Sequence, residues 1–200
     1  MREPFKPFVT KELGGNTVLI ACGLPASYKT ETTEVVARIK GYTILRTDMI
    51  RLEVLKGEDI FDEKVASSMD KRMRVYEEMF RTAEGLSGRG ESLILDATFV
   101  TQSLRRRAAG VAAKKGRRFV IQQTQCPQEV SLRRILRRSK ENYESNALTE
   151  QAYLNNKNKF EPVDLEDLKE RYPDLDILHL LVDTSSDSEE EWFVTNKVER

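Results

Sequence analysis

A single histidine, His179, in 200 residues leaves nothing from which a histidine-based metal cluster could be built, and it stands inside an apolar run that suits a core or edge position. Two cysteines, Cys22 and Cys126, are too few for the disulfide framework of a secreted domain. Each closes a segment that reads as a strand, which would place both at the same edge of a sheet, but the expectation is reduced thiols in the core. No apolar run is long enough to span a bilayer, and the first stretch, MREPFKPFVTKELGGN, carries charges and two prolines where a signal peptide would be apolar. The expectation is a soluble, cytoplasmic protein with no membrane partner. An overall charge is missing too, since 33 Lys and Arg balance 33 Asp and Glu. The local distribution is uneven: between residues 101 and 140, twelve basic side chains stand against one acid, Glu129. A cationic middle suits a phosphate-bearing ligand, although solvated helix faces account for part of it.

What is present is organised around residues 17–33, TVLIACGLPASYKTETT, which read as a buried strand, a tight loop and a helix start. Gly23, Lys29 and Thr30 occupy their places in the pattern G-x-x-x-x-G-K-[ST], and Tyr28 stands where the second glycine belongs. In that pattern backbone N–H groups wrap a β-phosphate, the lysine reaches the β- and γ-phosphates, and the hydroxyl binds Mg²⁺. The helix start adds its free N–H groups and its dipole. Pro25, Ala26, Ser27, Tyr28 and Glu31 complete the candidate nucleotide-binding set. A negative φ at Tyr28, with the ring turned outward, would accommodate it. The plainer alternative is an ordinary strand and a polar turn capped by Ser27 or Thr30.

Two hundred residues suffice for one domain without disulfides or metals. Residues 1–16 read as an irregular lead-in and 17–200 as the domain. A helix with Val35, Val36 and Ile39 inward stops at Gly41, a favourable C-cap residue. Strand 42–46 follows, and then a helix from Thr47. Val65, Met69, Met73, Tyr76, Phe80 and Ala83 mark a longer helix. Strand 92–95 delivers Asp96; then come helix 102–115, strand 118–124, helices 127–140 and 148–160, strand 176–182, and an acidic end read as a short helix packing Trp192 or Phe193. Apolar strands alternating with helices imply a parallel sheet covered on both faces, with ligands at the carboxyl ends of the strands. The loop after Cys22, Asp48, Asp96 and Cys126 therefore share one rim. An Asp after Leu93-Ile94-Leu95 needs a partner, for which the Thr30 hydroxyl, Mg²⁺ or a basic side chain would serve, unless it merely opens the loop.

The succession G-L-P-A-S-Y-K-T, R-T-D-M-I-R, L-I-L-D-A-T-F with R-R-R downstream, an Arg-rich helix and N-K-F-E-P resembles the P-loop kinase-like family. That family includes phage-type polynucleotide kinases, gluconokinase-like enzymes and zeta-toxin-type kinases. The resemblance covers about residues 17–184. It implies a three-layer α/β/α P-loop NTPase fold, with a five-stranded parallel sheet and a helical lid at about 127–160. It also implies ATP-dependent transfer of a γ-phosphoryl group to a hydroxyl of a small metabolite or nucleotide. By the same resemblance Lys29 and Thr30 hold the phosphates and Mg²⁺, Asp96 assists with the metal, Asp48 takes the acceptor's proton, and Arg51 orients the acceptor. Residues three apart on a first helical turn share a face, as that pairing needs; an N-cap role is the bland alternative for Asp48.

Arg133, Arg134, Arg137 and Arg138 fall on one helix face and repel one another unless an anion neutralises them. Arg134 and Arg137 are read as catalytic charge stabilisers with Lys29, and Arg133 and Arg138 as nucleotide contacts. Thr98 and Arg105 are candidate acceptor contacts. Two other readings stay open: a catalytically degenerate nucleotide- or RNA-binding module, and a polynucleotide 5′-hydroxyl kinase whose basic middle grips nucleic acid.

Overall fold

The computed structural model describes residues 1–58, 65, 68–137 and 149–200. In chain order these form β1 (Glu3–Pro4), α1 (Phe5–Glu12), β2 (Thr17–Cys22), α2 (Lys29–Lys40), β3 (Thr43–Arg46), α3 (Thr47–Val54), α4 (Met69–Ser87) and β4 (Leu93–Asp96). There follow α5 (Gln102–Ala113), β5 (Arg118–Gln125), α6 (Gln128–Leu136), α7 (Glu150–Lys159), α8 (Leu165–Arg171), β6 (Ile177–Asp183), a 3-10 turn (Glu189–Glu191) and β7 (Phe193–Glu199).

With no charged side chain, β2 is buried over its whole length and lies inside a seven-stranded sheet of order β1-β7-β6-β5-β2-β4-β3. Alternate residues of a strand face opposite ways, and two cores result. Val18, Ile20, Leu93, Leu95, Phe119 and Ile121 meet α4 and α5, while Leu19, Ile94, Val120, Leu178 and Leu180 meet α1, α2 and Trp192. The α/β class and the three layers are as expected. Five strands, β6-β5-β2-β4-β3, are mutually parallel. The expected count of five is nevertheless too low, because β7 joins β6 antiparallel and β1 joins β7.

Both extra strands come from chain ends that read otherwise in the sequence. Residues 193–199 form β7 rather than a helix, with Val194 and Trp192 buried; Val194, Thr195 and Val198 are β-branched and fit a half-buried pleat. The lead-in is not irregular, since Phe5, Phe8 and Val9 are the buried face of α1. Its prolines mislead, because Pro4 precedes the helix and Pro7 sits in the first turn, where no intrahelical N–H is needed. No described helix is long and apolar enough to cross a membrane.

Candidate active site

The phosphate-type loop leaves β2 through a position that admits only glycine. Gly23 has φ 144°, and a Cβ there would lie 2.6 Å from Thr124 O. The loop is bolted to the ends of β5 and β6. Ser27 Oγ donates to Leu24 O at 2.8 Å and lies 2.7 Å from Thr124 Oγ1, while Thr184 Oγ1 donates to Ser27 O at 3.0 Å. Gly23 N donates to Thr98 O at 3.4 Å, which ties the loop to the end of β4 as well.

Ala26 and Tyr28 are both left-handed, with φ 59° and 54°. The negative φ expected at Tyr28 is therefore wrong: the residue keeps the backbone that a glycine would supply. Such a conformation costs about 1–2 kcal/mol for a residue with a Cβ. The ring is held in return. It packs 5.6 Å from the Trp192 ring, carries the Arg134 guanidinium 3.7 Å from its centroid, and donates its hydroxyl to Asp187 at 3.0 Å. Left-handed residues on either side of Ser27 curl the N–H groups into the kind of concavity that binds anions, and no side chain caps the first turn of α2. The Lys29 ammonium donates to Leu24 O at 2.7 Å, inside the same loop.

Beside the loop, Asp96 is 6% exposed at the end of β4 and accepts from Thr30 Oγ1 at 2.8 Å. Burial pushes its carboxyl up to about 6, against the Thr30 hydrogen bond and the Lys29 charge, which pull it down. Arg46 Nε stands 3.9 Å from the same oxygen. Among the described residues no group of three His, Cys, Asp or Glu could hold a metal by itself. One carboxylate and one hydroxyl do fit Mg²⁺ arriving with a nucleotide, whose phosphates and waters fill most of its octahedron.

Asp48 and Arg51 lie on the first turns of α3, with Arg51 Nη1 3.4 Å from Asp48 Oδ1. The helix begins at Thr47 with no side-chain cap, so the N-cap alternative for Asp48 is not what forms. Thr98 opens the loop after β4. The next residue, Phe99, is fully buried at φ 43°, its N–H donating to the Tyr76 hydroxyl at 3.4 Å and its carbonyl accepting from the Cys22 thiol at 3.7 Å. Cys22 and Cys126 are both free, at the same end of neighbouring strands.

Two expected site residues belong to the framework. Arg134 is buried, donating to Asp187 at 2.9 Å, Ala26 O at 3.2 Å and Thr184 O at 2.8 Å. Its charge is thus engaged in joining α6 to the loop. Arg105 is 0% exposed and donates to Glu161 O at 2.7 Å and Pro162 O at 3.0 Å, with the Phe160 ring 5.1 Å away. It cannot meet an acceptor, and it gives N-K-F-E-P a role as the segment that Arg105 clamps. Arg133 and Arg137 are exposed, 3.9 and 3.5 Å from Asp187; Arg138 lies outside the described residues. Thr124, Thr184 and Asp187 support the loop and carry no role in the sequence reading, and Trp192, expected only as a packing residue, supports it too. Their signal was polarity where apolar strands end, in I-Q-Q-T and D-T-S-S-D.

A parallel sheet whose central strand enters an anion-cradling loop, with a lysine and a Thr–Asp pair beside it, defines the P-loop kinase-like class. Residues 18–163 match the model of the AAA domain family, and the chain belongs to that family. No curated protein matches it in sequence. Among solved structures it is similar to a sugar kinase from Janibacter sp. HTCC2649, with TM-score 0.59 and 14% identity over 86% of both chains. A gluconokinase from Sinorhizobium meliloti 1021 gives TM-score 0.55 and 16% identity over 86% of this chain and 83% of that one. The AvrRxo1-ORF1:-ORF2 complex with ATP gives 0.62 and 17%, over 98% of this chain and 62% of its counterpart. At such identities the likeness is one of fold.

Proposed function

We propose that the chain is a cytoplasmic kinase that moves the γ-phosphoryl group of ATP-Mg²⁺ to a hydroxyl of a small metabolite or nucleotide. The observation that carries this reading is the Thr30–Asp96 pair, 2.8 Å apart, beside Lys29 at the mouth of a left-handed loop. Thr30 and Asp96 would hold Mg²⁺, which supplies charge neutralisation on the phosphates when bound. Lys29 exchanges Leu24 O for phosphate oxygens. Asp48 accepts the proton of the acceptor hydroxyl, and Arg51, three residues along the same helix, orients the acceptor. Arg133, exposed on α6, and Arg137, exposed just past its end, are the cations that remain to stabilise the migrating group. Gripping nucleic acid is the weaker reading, because Arg105, Arg117 and Arg134 of the basic middle are buried.

Calorimetry of ATP with and without Mg²⁺, on the wild type and Lys29→Ala, tests the proposal. Micromolar Mg²⁺-dependent binding that is lost in the variant is expected. Equal binding by both proteins, or by neither, would remove the loop from the mechanism.

A further inference from the structure

The strands β3 and β4 end side by side. Arg46 and Asp96 are register partners, so their side chains leave the sheet on one face, and Thr47 Oγ1 donates to Asp96 O at 3.2 Å, which ties the two strand ends together. Arg46 Nε stands 3.9 Å from Asp96 Oδ2, the oxygen that accepts from Thr30 Oγ1. That is near enough to act through its charge and too far for a hydrogen bond. Among the described residues Arg46 Nε is buried with no hydrogen-bond partner. The other end of the guanidinium is tethered, with Nη1 3.3 Å from Glu34 Oε1. Glu34 is four residues after Thr30 on α2 and shares its face, so the helix that supplies the hydroxyl also holds the arginine beside it. Lys29, another cation near Asp96, has its ammonium on Leu24 O inside the phosphate loop.

A divalent ion on Asp96 would feel the Arg46 charge. Mg²⁺ at its usual distance of about 2.1 Å from Asp96 Oδ2 would stand within about 6 Å of Arg46 Nε in any direction, and at that range like charges repel in a half-buried site. The phosphates reverse the sign. ATP-Mg²⁺ carries a net negative charge, so the guanidinium that repels the bare ion attracts the complex. We propose that Arg46 admits the divalent ion to Thr30 and Asp96 only as its nucleotide complex. This rests on the kinase reading above, which makes Thr30 and Asp96 the groups that hold the metal. Arg46 makes no bond in the transfer. It keeps a bare ion off the pair until the nucleotide brings one, and so sets which species loads the site.

The test titrates Mn²⁺, an oxygen-seeking octahedral ion followed by electron paramagnetic resonance, into nucleotide-free protein at pH 8. Wild type, Arg46→Gln, Arg46→Lys and the double variant Arg46→Gln with Asp96→Asn are compared, and calorimetry of ATP-Mg²⁺ on the wild type and the two single variants gives the second readout. Arg46→Gln is expected to bind bare Mn²⁺ about 10- to 100-fold more tightly than the wild type, and ATP-Mg²⁺ about 3- to 10-fold less tightly. A change that merely distorted the site would weaken both. Arg46→Lys keeps the charge and should stay near the wild type in each measurement. The double variant should lose the gain, because the ion sits on Asp96. Mn²⁺ bound no more tightly by Arg46→Gln than by the wild type, an equal gain in Arg46→Lys, a gain kept in the double variant, or ATP-Mg²⁺ bound more tightly by Arg46→Gln would each overturn the proposal. None of these touches ATP-Mg²⁺ binding by the wild type, and failure of that binding would overturn the kinase reading and this proposal together.

Discussion

The Arg134 guanidinium lies 3.7 Å from the centroid of the Tyr28 ring, so the residue that breaks the glycine pattern is the one that α6 grips. The same arginine reaches Ala26 O and Thr184 O, which makes one cation the bolt between the phosphate loop, α6 and the turn after β6. The tyrosine adds a joint between the loop and that framework.

Tyr28→Gly separates the two contributions. Glycine removes the left-handed penalty of about 1–2 kcal/mol but forfeits the stack, worth about 0.5–2 kcal/mol, together with the half-buried ring and its bond to Asp187. The expected result is a net loss of about 1–2 kcal/mol in urea unfolding, with Mg²⁺-dependent ATP binding retained. Tyr28→Phe, which loses only the hydroxyl, should cost less than 1 kcal/mol. A gain in stability for Tyr28→Gly would mean that strain outweighs the contacts.

Gly23→Ala should be worse than any change at Tyr28. The new Cβ would meet Thr124 O at 2.6 Å and Thr124 Oγ1 at 2.8 Å, and the φ of 144° disfavours a side chain whatever the space. A loss of about 2–4 kcal/mol is expected, with ATP binding lost because the loop must move. Thermal unfolding and calorimetry of the same sample check both halves.

Arg105→Met tests the reassignment of that residue. Removing the guanidinium takes the donor from Glu161 O and Pro162 O, whereas Val100 O keeps Glu161 N at 2.8 Å, at about 1–3 kcal/mol for each carbonyl left without a partner. A loss on the order of 3 kcal/mol or more is expected, while protein kept folded at low temperature holds a near-normal KM for acceptor. A raised KM with unchanged unfolding would instead restore Arg105 to the acceptor site.

The main lines of the site were legible because each carries a local signal. Gly23, Lys29 and Thr30 have fixed spacing, Asp96 ends an apolar strand, and Asp48 and Arg51 are three apart at a helix start. The roles of Arg105 and Arg134 were not legible. An arginine that binds carbonyls from residues 161–162 or 184–186 is identical in sequence to one that binds phosphate; only the packing of distant segments decides. The parallel core followed from apolar runs, whereas β7 is half-buried and mostly polar, and its pairing with β6 depends on a long-range register that no local pattern states.

Asp96 should make stability and function oppose each other. Its carboxyl is held near 6 in the fold and has an ordinary value of 3.8, so the native state binds the proton more tightly than the unfolded chain. The stability it contributes is present below pH 3.8 and is lost as pH rises through about 6. His179 has the reverse slope. Burial lowers it from 6.5 to about 4, so its contribution is present above pH 6.5 and is lost as pH falls through about 4. The two trends offset each other in the wild type between roughly pH 4 and 6. Asp96→Asn keeps an acceptor for Thr30 and carries no charge, so it should gain on the wild type as pH rises across that interval, levelling off at about 1–3 kcal/mol. It should also lose Mg²⁺-dependent ATP binding, which in the wild type should itself strengthen through pH 6 as the carboxylate forms. Urea unfolding of both proteins from pH 4 to 8, with calorimetry at pH 5 and 8, reads each effect. An Asp96→Asn protein no more stable than the wild type at pH 8 would mean that the carboxylate is already solvated or neutralised by Arg46, and that its burial sets no cost for Mg²⁺ to relieve.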